Sequence, residues 1–435
     1  MNSLPSHSQI KKHIIDSFRH YWPRNSYLIE RLPVMTLKRQ TVNIVLKLEA
    51  IELPIWARDV GINGELLVPT EAIQKGDTHW ESVDWWLAAF MMLESWHERE
   101  FESLKGPIHS YARKLQKWDT RYWDKAWVNR IIIFLRKWAA FSHCKQESLL
   151  FGKLPPATFI LTHDVDALAK TLQIRVKQGA FEMHNVARNL KSESTENTFK
   201  ELLRIFKFVF KGDDWYQISR VISLESSMGL KSIFNFHITC EPKGTIGRLL
   251  DPSYAPSAEV TKLAINSVLD SGHTIGLHPS FDSWKSSERI SQQKKILSEL
   301  SRTHIRDVRQ HWLKFSWKDT WECQEIAGLE NDYTLMFNDK SGFRNGSALT
   351  WNPYNPNTKL GRKLKVTPTV LMDSHLYNYE NYDERGRRDR ISELVNECKE
   401  VGGTAAFLWH PHTLSDDYGW KPGFISLLNA ISHIS

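Results

Sequence analysis

The chain has 435 residues, 41% of them hydrophobic and 25% charged, enough apolar content for a sizeable core and too much for global disorder. Its 57 Lys+Arg exceed 50 Asp+Glu for a net charge of +7, and the surplus is spread over both halves, which argues against a dedicated nucleic-acid surface. Four cysteines, far apart and without a CxxC pair, exclude a disulfide scaffold or a Cys-rich zinc site and fit a reducing compartment.

From the N-terminus, nothing reads as a signal peptide. The most apolar run, residues 131–135, stops at Arg136-Lys137 and is too short to span a bilayer. A cytoplasmic, soluble protein without a transmembrane segment is expected. Residues 41–56 alternate as one or two strands, and 65–69 suggest a short third. Helical periodicity follows over 82–100, with Ser82 as the expected cap and Glu81 and Asp84 near the positive end. Trp85, Trp86, Phe90, Met91, Met92 and Trp96 give this helix a broad packing surface. A second, basic helical stretch covers roughly 109–141. No nucleophile or ligand cluster stands out in this part. The run Gly-Lys-Leu-Pro-Pro at 152–156 marks a boundary, so residues 1–150 read as an α+β accessory domain and 151–435 as a second domain.

After the boundary, strands and helices alternate. Residues 157–166 form an apolar strand with an acidic end. A helix is expected over about 167–192, a polar connection over 192–197, and helices near 199–209 and 215–229. A strand at 231–239 is followed by a helix at 257–272 and a strand at 273–278. Next come a helix at 287–301, a strand at 305–313, a helix at 321–330 and a strand at 332–337. A helix at 390–403 then runs into a strand at 404–411. This alternation predicts an α/β fold with a parallel, barrel-like sheet. Asp164, Asp166, His278, Arg309 and His410 all fall at strand C-termini, where such barrels place their chemistry.

Thr162-His163-Asp164-Val165-Asp166 is the sharpest local signal. In an extended strand Asp164 and Asp166 share one face, and two adjacent carboxylates repel unless a cation, a proton or an arginine compensates. A divalent metal would do so, with one carboxylate as ligand and the other as base. In Gly276-Leu277-His278-Pro279-Ser280-Phe281-Asp282, His278 ends a strand, and Asp282 reaches the same site if the chain turns helically. Histidine with carboxylates suits a borderline cation, zinc first. In Leu408-Trp409-His410-Pro411-His412 a strand-end histidine can protonate a leaving group, and periodicity does not rank His410 against His412. Arg309-Gln310-His311 and the segment around Arg344 supply cations that orient carboxylates or bind an anionic substrate.

In this order the motifs resemble the NodB-like polysaccharide deacetylases (carbohydrate esterase family 4-like), in the branch whose first motif reads HDVD, here with an extra N-terminal domain. The resemblance spans about 155–420: THDVD at 162–166, GLHPSFD at 276–282, VRQHWL at 308–313, NDYTLMF followed by SGFRNG, and LWHPHT at 408–413. It implies an irregular (β/α) barrel and a metal-dependent hydrolase that removes acetyl groups from an N-acetylated sugar, glycan precursor or polysaccharide. It further implies Asp164 as base, Asp166, His278 and Asp282 as ligands of one divalent ion, most naturally zinc, and His410 as acid. Arg309 holds Asp164 in place, and Arg344, His412, Asp332, Trp312 and Phe281 support the site or contact substrate. Two departures stand out: Val165 separates the aspartates of the first motif, and Asp282 replaces the second histidine of the next. A non-carbohydrate amide as substrate, or a glycan-binding protein on an inactive barrel, are the alternatives.

Overall fold

The computed structural model describes residues 4–35, 37, 42–74, 77–171, 174–175, 205–206, 208–210, 212–239, 251–252, 254–380 and 382–432. The helix expected over 167–192 and the connection at 192–197 lie largely outside them, as does most of the helix near 199–209.

Helix α1 (His7–Ser17) opens the chain, held by a capping box between Ser6 and Gln9. Strands β1 (Leu48–Glu52) and β2 (Glu65–Pro69) pair antiparallel. The helix expected over 82–100 is two helices, α2 (Trp85–Leu93) and α3 (Trp96–Lys105). Asp84, not Ser82, caps α2 by accepting from the Leu87 N–H at 2.9 Å; the Ser82 hydroxyl is taken by Asp77. All nine α2 residues are buried, as its all-round apolar sequence requires. The break falls at Ser95 (φ 43°), beside the buried Glu94. That carboxylate is fixed by His13 at 2.8 Å, Arg99 at 2.7 Å and the Trp351 indole at 2.9 Å. Of the stretch 109–141 only α4 (Trp127–Ser142) is an α-helix. Shorter turns precede it, one started by Asp119, whose side chain accepts from the Arg121 N–H.

The alternating segment runs β3 (Thr158–Val165), α5 (Ile218–Ser226), β4 (Ser232–Ile238), α6 (Glu259–Asp270), β5 (Thr274–Pro279), α7 (Ser287–Ser301) and β6 (Asp307–Val308). It continues through α8 (Thr320–Ile326), β7 (Asn331–Asp332), the small pair β8 (Tyr354–Asn355) and β9 (Leu360–Gly361), β10 (Lys365–Val366), β11 (Thr369–Met372), α9 (Glu384–Val401), β12 (Thr404–Leu408) and α10 (Lys421–Ser432). Two expected strands are much shorter than their apolar runs. Beyond β6, Trp312 and Leu313 take φ of 56° and 48°, which no strand accommodates. Beyond β7, the Asp332 carboxylate draws back the Thr334 N–H at 3.0 Å in place of a ladder bond.

By contacts the chain divides into two compact units, Met1–Ile160 with Trp312–Phe407, and Leu161–His311 with Leu408–Ser435. In the first, α2 is central, β7 pairs with β10 in parallel and β12 lies beside β11. In the second, β3, β4, β5 and β6 follow one another in that order, all parallel. The architecture is α/β, an irregular (β/α) barrel whose parallel sheet stays open, preceded in sequence by a smaller region of helices and one antiparallel strand pair. No helix among the described residues is long and apolar enough to cross a membrane.

Candidate metal centre

Parallel pairing brings the C-terminal ends of β3 to β6 to one place. Asp164 lies opposite Asn235, His237 opposite His278 and Leu277 opposite Val308. Each strand therefore delivers its polar terminus to the same edge, although these residues are far apart in sequence.

Asp164 is buried, and its Oδ1 accepts from the Asn235 amide at 2.8 Å and from Arg309 Nη1 at 3.1 Å. Arg309 is fully buried and also donates to Thr162 Oγ1 at 2.7 Å. Burial alone would raise the Asp164 carboxyl, but the charges of Arg309, His278 and His410 hold it below the ordinary carboxylate range. The space for Asn235 comes from Gly276, where a Cβ would stand 2.2 Å from Asn235 Oδ1. Gly276→Ala is therefore expected to push Asn235 off Asp164 and cost about 1.5–3 kcal/mol, the worth of a hydrogen bond to a charged group. Denaturant unfolding measures this, and the double change Gly276→Ala with Asn235→Ala should remove the clash. Equal stability of Gly276→Ala and the unaltered chain would contradict it.

Asp166, just past β3, faces three histidines. Its Oδ1 lies 3.4 Å from His278 Nε2 and 3.9 Å from His311 Nε2, and its Oδ2 lies 3.6 Å from His410 Nε2. Burial is outweighed here by His278 first and then by the charges of His311 and His410, so the carboxyl sits well below its usual range. Asp166 Oδ1 is buried and makes no hydrogen bond of good geometry among the described residues. His278 Nδ1 donates to the Arg309 carbonyl at 2.7 Å, so Nε2 is the ring nitrogen turned to Asp166. Burial lowers the His278 ring, but Asp164 and Asp166 more than compensate and its value lies above that of an ordinary histidine. Burial holds His311 below its usual value despite Asp251 and Asp166.

Asp166, His278 and His311 form one group whose ligand atoms lie within 4.8 Å of one another; His237, Asp251 and His311 form a second. Both suit a divalent cation. Zinc ligands at 2.0–2.2 Å in a tetrahedron stand about 3.4 Å apart, longer than a hydrogen bond. The spacing around the orphaned Asp166 oxygen therefore fits co-ligands of one ion.

The other expected site residues lie elsewhere. Asp282 is exposed in the turn after β5 and belongs to neither group, because the chain does not continue helically from His278. The Phe281 side chain is half-buried, and its N–H donates to Asp251 Oδ1 at 2.9 Å. The His412 ring stacks on Trp215 with centroids 5.3 Å apart and lies 5.7 Å from His410. Trp312 is 39% exposed directly after His311. In the first unit, Asp332 is buried among Trp321, Gln324 and Thr334, and burial pushes its carboxyl up. Arg344 is buried there against Glu98. Sequence reasoning gave His311 no role of its own beside Arg309 and passed over Asn235, His237 and Asp251. His237 carried a signal, since it ends the apolar strand β4 as His278 ends β5.

No family model matches the chain, and no curated protein does either. Solved structures give low-level likenesses. A protein from Mycobacterium smegmatis assigned as a polysaccharide deacetylase shares 14% identity over 65% of this chain and 86% of its own, at a TM-score of 0.36. A CE4 family pseudoenzyme from Bacillus anthracis shares 11% over 64% of this chain and 62% of its own, at 0.29. The chitin deacetylase from Colletotrichum lindemuthianum shares 12% over 63% of this chain and 83% of its own, at 0.31. Likenesses this low carry no functional weight. The class that fold and site define is an α/β barrel protein with a His/Asp centre suited to a divalent cation.

Proposed function

We propose that this protein is a metal-dependent hydrolase that removes an acetyl group from an N-acetylated sugar, glycan precursor or polysaccharide. The observation that carries this reading is the convergence of two differently equipped carboxylates and a third-side histidine. Asp166 stands with His278 and His311 at co-ligand spacing, Asp164 is clamped by Arg309 and Asn235, and His410 flanks Asp166.

Asp166, His278 and His311 would hold the ion, with zinc the best match to two imidazoles and a carboxylate. Such an ion supplies Lewis-acid polarisation of the acyl oxygen and makes a nearby water more acidic. Asp164, kept ionised by Arg309, takes a proton from the attacking water. Arg309 also orients it, since one guanidinium nitrogen reaches both Asp164 and Thr162. As the carbon–nitrogen bond breaks, His410 delivers its proton to the departing nitrogen, and the products are acetate and a free amine.

The purified chain is expected to carry one divalent ion and to release acetate from N-acetylglucosamine oligomers. Chelation should bring this to background, and added zinc should restore it. Asp166→Asn should weaken zinc binding by more than the roughly 10–100-fold typical of losing an outer-shell partner. Acetate release that survives complete removal of metal would sink the proposal.

A further inference from the structure

The two groups suited to a cation share one ring. His311 presents Nε2 to Asp166 and His278, and Nδ1 to Asp251. A neutral imidazole carries one proton and one lone pair, so the ring serves one cation at a time, and what holds its proton decides which.

Asp251 holds it. The Nδ1–Oδ1 distance is 3.0 Å, the length of an N–H···O bond and shorter than the spacing of two atoms around one ion. An ionised carboxylate only accepts, so the ring is the donor and Nε2 keeps the lone pair. The same Asp251 oxygen also accepts the Phe281 N–H at 2.9 Å. Both of its acceptor positions are therefore in use, and that oxygen has no lone pair left for a cation. His278 follows the same pattern, with its Nδ1 proton on the Arg309 carbonyl.

We infer that Asp251 is a positioning residue that commits His311 to the ion of the Asp166–His278 side and makes the second group an outer layer of that centre, not a site of its own. This rests on the reading that Asp166, His278 and His311 hold the cation. It also gives a role to the segment just before α6, whose sequence carried no motif. Asp251 reaches across to the turn after β5 through Phe281 and to the end of β6 through His311. The third ligand thus comes from the turn that follows β6, the strand paired with the one that carries His278.

The test is zinc binding alone, by chelator competition on the full-length chain. Asp251→Asn should keep a stoichiometry of one and lose roughly 10–100-fold in affinity, as outer-shell partners do. Asp251→Glu, which keeps the carboxylate, should recover part of that loss. His237→Asn should bind zinc like the unaltered chain. Long-range proton–nitrogen spectra of the zinc-loaded protein should find His311 protonated at Nδ1 and ligated at Nε2. Metal-free far-UV spectra and melting curves check that each variant folds.

Loss of the ion in His237→Asn while Asp166→Asn retains it would overturn the inference and move the ion to the second group. Undiminished affinity in Asp251→Asn would overturn this inference and leave the hydrolase reading standing. An unaltered chain that binds no zinc would take down both.

Discussion

Asp164→Asn is expected to cut acetate release by about 10²–10⁴, the usual worth of a positioned base, while the chain keeps its divalent ion. The two carboxylates of the first motif are equipped differently, which separates these outcomes. Asp166 stands among His278, His311 and His410, whereas Asp164 takes its hydrogen bonds from Arg309 and Asn235. An asparagine at 164 keeps an oxygen for the Asn235 amide but loses the charge opposite a fully buried arginine. Breaking a buried pair by removing one partner costs about 3–5 kcal/mol, so the variant should also unfold at lower denaturant. Activity must therefore be compared where both forms are folded, with metal content measured alongside. If Asp164→Asn released its ion and Asp166→Asn kept it, the roles of the two would have to be exchanged. If activity were unchanged, Asp164 could not be the base.

The strand ends were readable because they combine two periodicities that a sequence displays openly. An apolar run of strand length stops at a polar residue, and a helical stretch follows. That pattern located Asp164, Asp166, His278, Arg309 and His410, and the structure brings all five to one edge of the second unit. Asp282, expected beside His278, lies apart from both groups for a physical reason. A spacing of i to i+4 after a strand is informative only if a helical turn follows, and the turn after β5 leaves Asp282 exposed. His311 lies just past the short strand β6, where Trp312 and Leu313 take positive φ, and propensity does not foresee such a conformation. Asp251 follows a stretch without periodicity, and its function depends on two contacts made across the fold. In the N-terminal part the helices were legible from their apolar residues. The break at Ser95 was not, because a buried carboxylate partnered from α1, α3 and Trp351 sets it.

Arg344 gives the second large effect, and it is expected on stability and not on substrate affinity. Its sequence context, Gly-Phe-Arg-Asn-Gly, offered it as a substrate contact or a support for the site. The side chain is fully buried in the first unit and forms an ion pair with Glu98, which is itself buried. It donates to the Met336 carbonyl at 2.8 Å and the His109 carbonyl at 2.6 Å. The Phe337 and Phe315 rings lie 4.9 and 5.4 Å from the guanidinium carbon. Every face of the group is thus used within the protein. Glu98→Ala leaves the arginine charge buried and uncompensated, at a cost of about 3–5 kcal/mol. For a domain of this size that corresponds to a fall in melting temperature on the order of 10 °C. Arg344→Met should cost a comparable amount, because it orphans Glu98 and two backbone carbonyls. The double change Glu98→Met with Arg344→Met should recover much of the loss, since replacing both members of a buried pair by packed apolar groups is far less damaging than removing one. Thermal melts of the four proteins close this cycle. In a proposed substrate-binding role, Arg344→Met would instead raise KM with little change in melting temperature, and that result would contradict the assignment made from its burial.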